Sequence, residues 1–163
     1  MEEHGFLCAA MERWGDTVYR LALCRTQSQA DAEDVYQDVF LSLLKQPRRD
    51  WEGEHLKAWL IRTTLNRCHD LTRFRLRRPT LPLEAVSELA AQNGEAAELW
   101  EAVARLPEKL RTAIHLYYAE GYQAEEIAGI LRVPPSTVRT RLYRGRQQLK
   151  GLLGGLDDES EHL

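Results

Sequence analysis

Apolar residues recur at three- and four-residue steps along most of the chain, and no segment shows a convincing strand-like alternation. This spacing predicts amphipathic α-helices and an all-α fold. The three apolar stripes of the first half begin at Leu7, Ala32 and Leu56. Ser28 or Asp31 is the candidate N-cap of the second helix, because both side chains can accept a hydrogen bond from the first turn. Pro47 ends that helix, since proline cannot donate a helical hydrogen bond.

Prolines divide the chain into two parts. Pro79 and Pro82 interrupt the periodicity, and four shorter helices follow a segment of small and acidic residues. Those helices are predicted at about 96–105, 107–118, 124–131 and 136–152. The expected organisation is two small helical domains, residues 1–78 and 96–153, joined by a flexible acidic linker, residues 79–95. A disordered tail is expected over residues 154–163.

Charge is distributed unevenly around a net value of −3. Residues 41–80 carry net +6 and residues 105–150 net +5, whereas segments 1–40, 81–104 and 151–163 carry −5, −5 and −4. The total excludes a histone-like polycation. The two separate basic blocks nevertheless indicate contact with a polyanion.

The cysteine content and the hydropathy of the chain indicate the cellular compartment in which it works. Cys8, Cys24 and Cys68 are too few and too scattered for a disulfide framework or a zinc ribbon, and packing in the core is their expected role. No apolar run approaches the roughly 18 residues that span a bilayer, and the N-terminus lacks the basic region of a signal peptide. These features predict a reduced, cytoplasmic protein without membrane insertion.

An enzyme is the first alternative, and the residues do not favour it. Cys68, His69 and Asp70 are triad-type residues, but neighbours on a helix point about 100° apart and cannot converge. The five histidines lack metal-ligand spacing with the cysteines, and the chain has no glycine-rich phosphate loop. The sequence predicts no catalytic residues, no cofactor and no metal site.

The strongest local signal lies in residues 123–149. Two apolar faces on short helices are joined by a tight turn, which predicts a helix-turn-helix. The second helix buries Val138, Leu142, Gly145 and Leu149 and turns outward Ser136, Arg139, Thr140, Tyr143, Arg144 and Gln147. Five arginines lie between positions 132 and 146 with no acidic residue among them, which favours DNA binding over a merely solvated face.

A second basic helix, residues 56–78, mixes aromatic and cationic side chains. Bases can stack on aromatic planes while arginines follow the phosphates, as single-stranded or melted DNA requires. The candidate contacts are Trp59, Arg62, Asn66, Arg67, Arg73 and Phe74. Trp59 is also compatible with a core position on its helix.

Three motifs, taken in order, resemble bacterial sigma factors. Residues 32–40 are similar to the Ala-Glu-Asp-x-x-Gln-Glu-x-Phe signature of sigma region 2. The family's sequence pattern continues after this signature, and the chain resembles it at Trp59-Leu60, Asn66, Asp70 and Arg73. Segments 106–111, 126–131 and 137–144 look like region 4. The chain therefore resembles the extracytoplasmic-function (ECF) sigma factors, which keep only regions 2 and 4 and a linker.

The resemblance implies core RNA polymerase and promoter DNA as partners, with an anti-sigma factor as a further candidate. The residues implied to bind the clamp helices of the polymerase β′ subunit are Asp34, Gln37 and Asp38. The residues implied at the −10 element are Trp59, Arg62, Asn66, Arg67, Asp70 and Arg73. The residues implied at the −35 element are Arg111, Ser136, Thr137, Arg139, Thr140, Tyr143 and Arg144. Region 4 would also meet the β flap, and the acidic linker would thread polymerase near the RNA exit path.

Some positions depart from the family pattern. Thr63 and Thr64 make one face of the third helix more polar than expected. Gln123 replaces a capping serine, which predicts a weaker helix start. Arg132 stands where glycine is frequent, so a left-handed backbone there would cost about 1–2 kcal/mol.

Two further hypotheses about the function remain open from the sequence. An ordinary helix-turn-helix regulator would use the same C-terminal half but would bind symmetric sites as a dimer. It does not explain the second basic helix or the acidic linker. A purely protein–protein helical module is the other reading.

Overall fold

The computed structural model describes residues 2–46, 53–74 and 97–153. The chain divides into two compact units, Met1–Ala85 and Val86–Leu163. The described α-helices are α1 (Glu2–Thr26), α2 (Gln29–Lys45), α3 (Glu54–Phe74), α4 (Ala97–Ala104), α5 (Glu108–Ile114), α6 (Ala124–Leu131) and α7 (Pro135–Leu152). The expected linker, 79–95, and tail, 154–163, lie outside the described residues.

In the first unit α1, α2 and α3 pack against one another. The stripes predicted from periodicity supply its centre, where Val18, Val39 and Leu60 are fully buried. Thr64 is also fully buried, and its hydroxyl donates to the Leu60 carbonyl at 2.7 Å. The polar face expected at this position is therefore satisfied within α3 itself, which removes most of the cost of burying a hydroxyl.

The loop between α1 and α2 settles which residue caps the second helix. Ser28 has extended backbone angles, and its hydroxyl accepts from the Asp31 amide at 3.2 Å. Ser28 is thus the N-cap, and Asp31 lies in the first turn, where a carboxylate suits the positive end of the helix dipole. The helix ends at Lys45, two residues before Pro47, as the sequence predicted.

In the second unit α7 packs on α5 and α6, and α4 closes against α5 and α7. Ile114, Leu116, Ile127 and Val138 are almost completely buried at the centre. The fifth helix was predicted to continue to about residue 118. Instead α5 passes into a π-helical turn, His115–Ala119, and Gly121, at φ +78°, then ends the helical path. Such π turns commonly mark functional positions.

His115 anchors this π turn in the core. Its ring is fully buried, and Nε2 lies 3.2 Å from a Glu120 carboxylate oxygen. The Trp100 indole of α4 meets the imidazole edge-on, with ring centroids 6.0 Å apart. The turn is therefore held from both sides, and the tyrosines that follow His115 are placed nearer the surface.

The turn between α6 and α7 has the strained backbone that the sequence suggested. Arg132 adopts φ 61° and ψ 46°, the left-handed region. The Val133 amide donates to the Ala128 carbonyl at 3.1 Å, which closes the end of α6. At the other end of α6, Glu126 accepts from the Gln123 amide at 2.8 Å. This back-bond offsets the missing capping serine.

Arg132→Gly is expected to stabilise the protein by up to about 1 kcal/mol. Relief of the left-handed strain is worth about 1–2 kcal/mol, and the extra freedom of glycine in the unfolded chain offsets about half of it. Urea unfolding measures the change. Gln148→Gly, at an exposed position inside α7, is the control and should destabilise by about 0.5–1 kcal/mol. A loss of stability in Arg132→Gly like that of the control would contradict the strain argument.

Candidate nucleic-acid interface

Helix α7 presents the two faces that its sequence predicts. Val138, Leu142, Gly145 and Leu149 are buried against the rest of the second unit. The exposed residues around the rest of the helix include Ser136, Arg139, Thr140, Tyr143, Arg144 and Gln147. Tyr143 is 61% exposed, which is unusual for so large a ring without a partner surface. This face combines guanidinium, hydroxyl and amide groups, the chemistry that reads base edges in a major groove.

The entry to α7 depends on two prolines. Pro135 is the first helical residue, where its fixed φ suits the helix and its missing N–H is no loss. The Pro134 carbonyl accepts from the Thr137 amide at 2.9 Å and so begins the helical ladder. Thr137 itself is only partly exposed, so it lies at the edge of the proposed reading face.

Two arginines of α7 are held by neighbouring elements. An Arg139 amino group donates to a Glu125 carboxylate oxygen of α6 at 3.1 Å. The Arg146 Nε donates to the Tyr118 hydroxyl at 2.8 Å, and its guanidinium carbon lies 5.6 Å from the Tyr117 ring centroid. Two tyrosines of the π turn therefore contact the Arg146 guanidinium, and these contacts link the π turn to α7.

Arg111 requires a correction. The family resemblance implies Arg111 at the −35 element, and its charge would suit a phosphate contact. In the structure it is only 6% exposed, and one amino group donates to the Leu106 carbonyl at 2.7 Å. A buried guanidinium committed to a backbone carbonyl cannot reach a DNA phosphate without opening the fold. We assign Arg111 to the start of α5, where it fastens the Leu106–Pro107 corner.

Helix α3 carries the second predicted nucleic-acid surface. Asn66, Arg67 and Asp70 are exposed, whereas Trp59 and Arg62 are partly buried. An Arg67 amino group donates to the Ser42 hydroxyl of α2 at 3.0 Å, which restricts the arginine to this edge of the unit. The backbone of Arg73 belongs to α3. Its side chain, and that of Phe74, lie outside the described residues.

The outer face of α2 carries both acidic and apolar groups. Asp34, Gln37 and Asp38 are exposed, at the three- and four-residue spacing of one helix face. Leu41, one turn further, is 53% exposed, and Leu44 is 37% exposed. Leu44 is the last residue of the apolar stripe that begins at Ala32, so the sequence predicts its burial, and its exposure corrects that expectation. Leu41 lies outside that stripe and adds apolar surface to the same side of α2 as the carboxylates.

The cysteines and histidines form no further site among the described residues. Cys24 and Cys68 are buried, as expected of cysteines that pack in the core, whereas Cys8 is exposed, which corrects that expectation for this residue. Across the described ranges, no group of three or more histidine, cysteine or acidic side chains is arranged to hold a metal ion. None of the described helices has the length and apolar character needed to cross a membrane.

Comparison with known proteins places both units in one family. Residues 10–78 match the family model for Sigma-70 region 2, and residues 96–149 match that for Sigma-70 region 4. The ECF RNA polymerase sigma factor SigE of Mycolicibacterium smegmatis is 34% identical over 93% of this chain and 66% of its own length. The ECF RNA polymerase sigma factor SigM of Mycobacterium tuberculosis is 34% identical over 86% of this chain and 73% of its own.

Solved structures share the fold of this chain. The sigma factor RpoE of Bartonella quintana, crystallised with the anti-sigma factor NepR, has a TM-score of 0.72 at 23% identity and covers 91% of this chain and 97% of its own. CnrH, solved with the cytosolic domain of CnrY, has a TM-score of 0.64 at 28% identity and covers 93% of this chain and 89% of its own.

The chain belongs to the sigma-70 family, among the ECF RNA polymerase sigma factors. It is thus a sigma factor, which acts with core RNA polymerase in promoter-specific transcription initiation. The alternative hypothesis from the sequence, a helix-turn-helix regulator that does not act through core polymerase, is not favoured.

Proposed function

We propose that three exposed surfaces of this sigma factor each perform one task in transcription initiation. The outer face of α2 binds polymerase, α3 opens the −10 element, and α7 reads the −35 element. The exposed face of α7 carries this proposal furthest, because polar and cationic groups cover one side of a helix whose other side is fully packed. Promoter selection by holoenzymes with altered α7 residues, Arg139→Ala above all, is the experiment that tests it.

Within α7 the position along the helix assigns the roles. In helix-turn-helix proteins the N-terminal residues of the recognition helix contact base edges. Arg139 and Thr140 lie in the first turns of α7 and are the proposed base readers, with Ser136 and Thr137 at its entry. Arg144 lies further along, where a guanidinium meets phosphate and contributes affinity without sequence information.

Helix α3 is proposed to act on the separated strands. Asn66 is exposed and can hydrogen-bond an extruded base through its amide, while Arg62 and Arg67 follow the backbone. The partly buried Trp59 would offer one edge or face of its indole, with the remainder packed in the unit. Asp70 is exposed on the same helix, and Arg73 is proposed as a further contact from its charge and its position in the sequence.

Asn66→Ala is expected to slow open-complex formation by about threefold to tenfold, as the loss of one or two hydrogen bonds to a base would do. Initial closed-complex binding should change much less, because the base is extruded only later. Permanganate footprinting of melted thymines and filter binding of the closed complex measure the two steps separately. Equal losses in both steps would contradict a role in strand opening.

The outer face of α2 is proposed to contact the clamp helices of the polymerase β′ subunit. Asp34 and Asp38 supply charge and Gln37 supplies hydrogen bonds, to which the structure adds the exposed Leu41. An apolar centre bordered by polar groups is the usual composition of a protein interface. The second unit is proposed to meet the β flap.

Asp38→Lys is expected to weaken core polymerase binding by about tenfold or more, since it places a like charge against a partner surface that accepts carboxylates. Glu12→Lys, an exposed position on α1 with the same charge change, is the matched control and should bind as the parent does. Titration of labelled protein with core polymerase measures both. Parent-like affinity in Asp38→Lys would place the interface elsewhere.

The remaining parts of the proposal concern the setting in which the chain works. Each surface acts by contact with polymerase or DNA, so the proposed function requires no bond-making step by this chain. We place its activity in the cytoplasm, together with polymerase and the chromosome. The Bartonella RpoE was crystallised with an anti-sigma factor, and an anti-sigma factor is a further proposed partner here.

A further inference from the structure

An ion pair joins the two helices of the helix-turn-helix on their exposed side. Glu125 lies in the first turn of α6, and its carboxylate accepts from the Nη1 amino group of Arg139 at 3.1 Å. The side chains are 69% and 57% exposed, respectively, so the pair is not part of the core. Exposed pairs contribute little to stability, so this one is better understood through what it does to Arg139.

The position of Glu125 is unfavourable for DNA binding when considered alone. In helix-turn-helix complexes the first helix crosses the phosphate backbone, so carboxylates in the first turn of α6 oppose binding through repulsion. The neighbouring Glu126 has a local structural task, because it accepts from the Gln123 amide. Glu125 instead reaches across to the arginine proposed to read a base.

We propose that Glu125 is a specificity-determining positioning residue, which holds the Arg139 guanidinium in the orientation that reads guanine. The inference rests on the proposed role of Arg139. Guanidinium is planar and presents its donors in a fixed fork. With Nη1 committed to Glu125, Nε and Nη2 are the donors left for a bidentate contact with guanine O6 and N7.

Holding one arginine rotamer also limits wrong contacts. A long side chain without this restraint can turn toward a phosphate or another base edge, which preserves affinity but loses discrimination. The negative charge of Glu125 lowers affinity for every DNA sequence, whereas its hydrogen bond sharpens the choice of one base pair. Removal of the carboxylate should therefore raise overall affinity and relax selectivity at a single position.

Glu126 provides the matched control for this effect. Glu126→Gln removes the same charge from the same helical turn, and glutamine can still accept from the Gln123 amide. It should raise affinity for all sequences alike and leave the sequence preference unchanged. Glu125→Gln and Glu125→Ala should raise affinity to a similar extent but reduce the preference at the base pair read by Arg139.

The experiment uses holoenzyme assembled from core RNA polymerase and the full chain, with a duplex DNA library randomised at the upstream element. We expect a reduction of about threefold to tenfold in preference at one position for Glu125→Ala, a smaller one for Glu125→Gln, and none for Glu126→Gln. In the Arg139→Ala background, Glu125→Ala should no longer alter the preference. Circular dichroism of each variant establishes that α6 is retained.

The outcomes separate this inference from the function on which it rests. If Arg139→Ala changes the preference but both Glu125 variants match Glu126→Gln, the positioning role is wrong and the reading role of Arg139 stands. If Arg139→Ala leaves the preference unaltered, both are wrong. Preference changes that add in the double variant would also overturn the proposal, because a positioning residue acts only through the group it positions.

Discussion

Arg139→Ala is expected to relax promoter preference at one or two upstream positions and to leave the other positions unchanged. Arg139 is exposed near the start of α7, beside the buried stripe of Val138 and Leu142, and the N-terminal part of a recognition helix meets base edges. A bidentate arginine–guanine contact discriminates by about 1–3 kcal/mol. Selection from a randomised promoter library with the variant holoenzyme measures the change.

Arg144→Ala supplies the contrast, because it removes the same type of exposed side chain five residues further along the same helix. A phosphate contact carries no sequence information, so this variant should weaken binding to all sequences alike. It should also reduce the salt dependence of binding by about one ion. If neither variant alters upstream preference, these arginines only solvate a surface helix and the assignment is wrong.

Gly145→Ala is expected to destabilise the second unit by about 1–2 kcal/mol. A Cβ at this position would lie 2.8 Å from Ile114 Cγ1 and 3.0 Å from its Cδ1. Ile114 is only 1% exposed and β-branched, so it has little room to move. Overpacking costs about 1–3 kcal/mol, and the better helix propensity of alanine returns about 0.5–1 kcal/mol.

Gly129→Ala tests the same substitution without the contact. Gly129 is exposed inside α6, and a Cβ at this position would meet no heavy atom within 4 Å beyond its own helix backbone and chain neighbours. Alanine there should stabilise by about 0.5–1 kcal/mol. Urea unfolding compares both variants with the parent. Stabilisation of similar size in both would show that α7 does not depend on close approach to Ile114.

Periodicity was sufficient to predict the helices and the two faces of α7. A three- to four-residue apolar repeat leaves one way to bury Val138, Leu142 and Leu149 together, so the exposed face follows. The left-handed backbone at Arg132 was suggested by the family resemblance, in which glycine is frequent at this turn position. These features depend on local geometry, which the sequence contains directly.

Features that depend on packing between helices were not predictable in the same way. Arg111 looked like a phosphate ligand by its charge, and only the fold shows it turned toward the Leu106 carbonyl. Leu41 could have been noticed, because it continues the spacing of Asp34, Gln37 and Asp38. The Glu125–Arg139 pair joins residues 14 positions apart across a turn, and no periodic pattern marks it.

Run-off transcription with purified core RNA polymerase, with and without this protein, tests whether the chain directs polymerase to specific promoters. The template is a library of duplex fragments, and sequencing of transcript 5′ ends identifies the start sites. The expected result is a new set of start sites that appears only with the protein and is preceded by shared −35 and −10 sequences. An identical distribution of start sites in both reactions would contradict it.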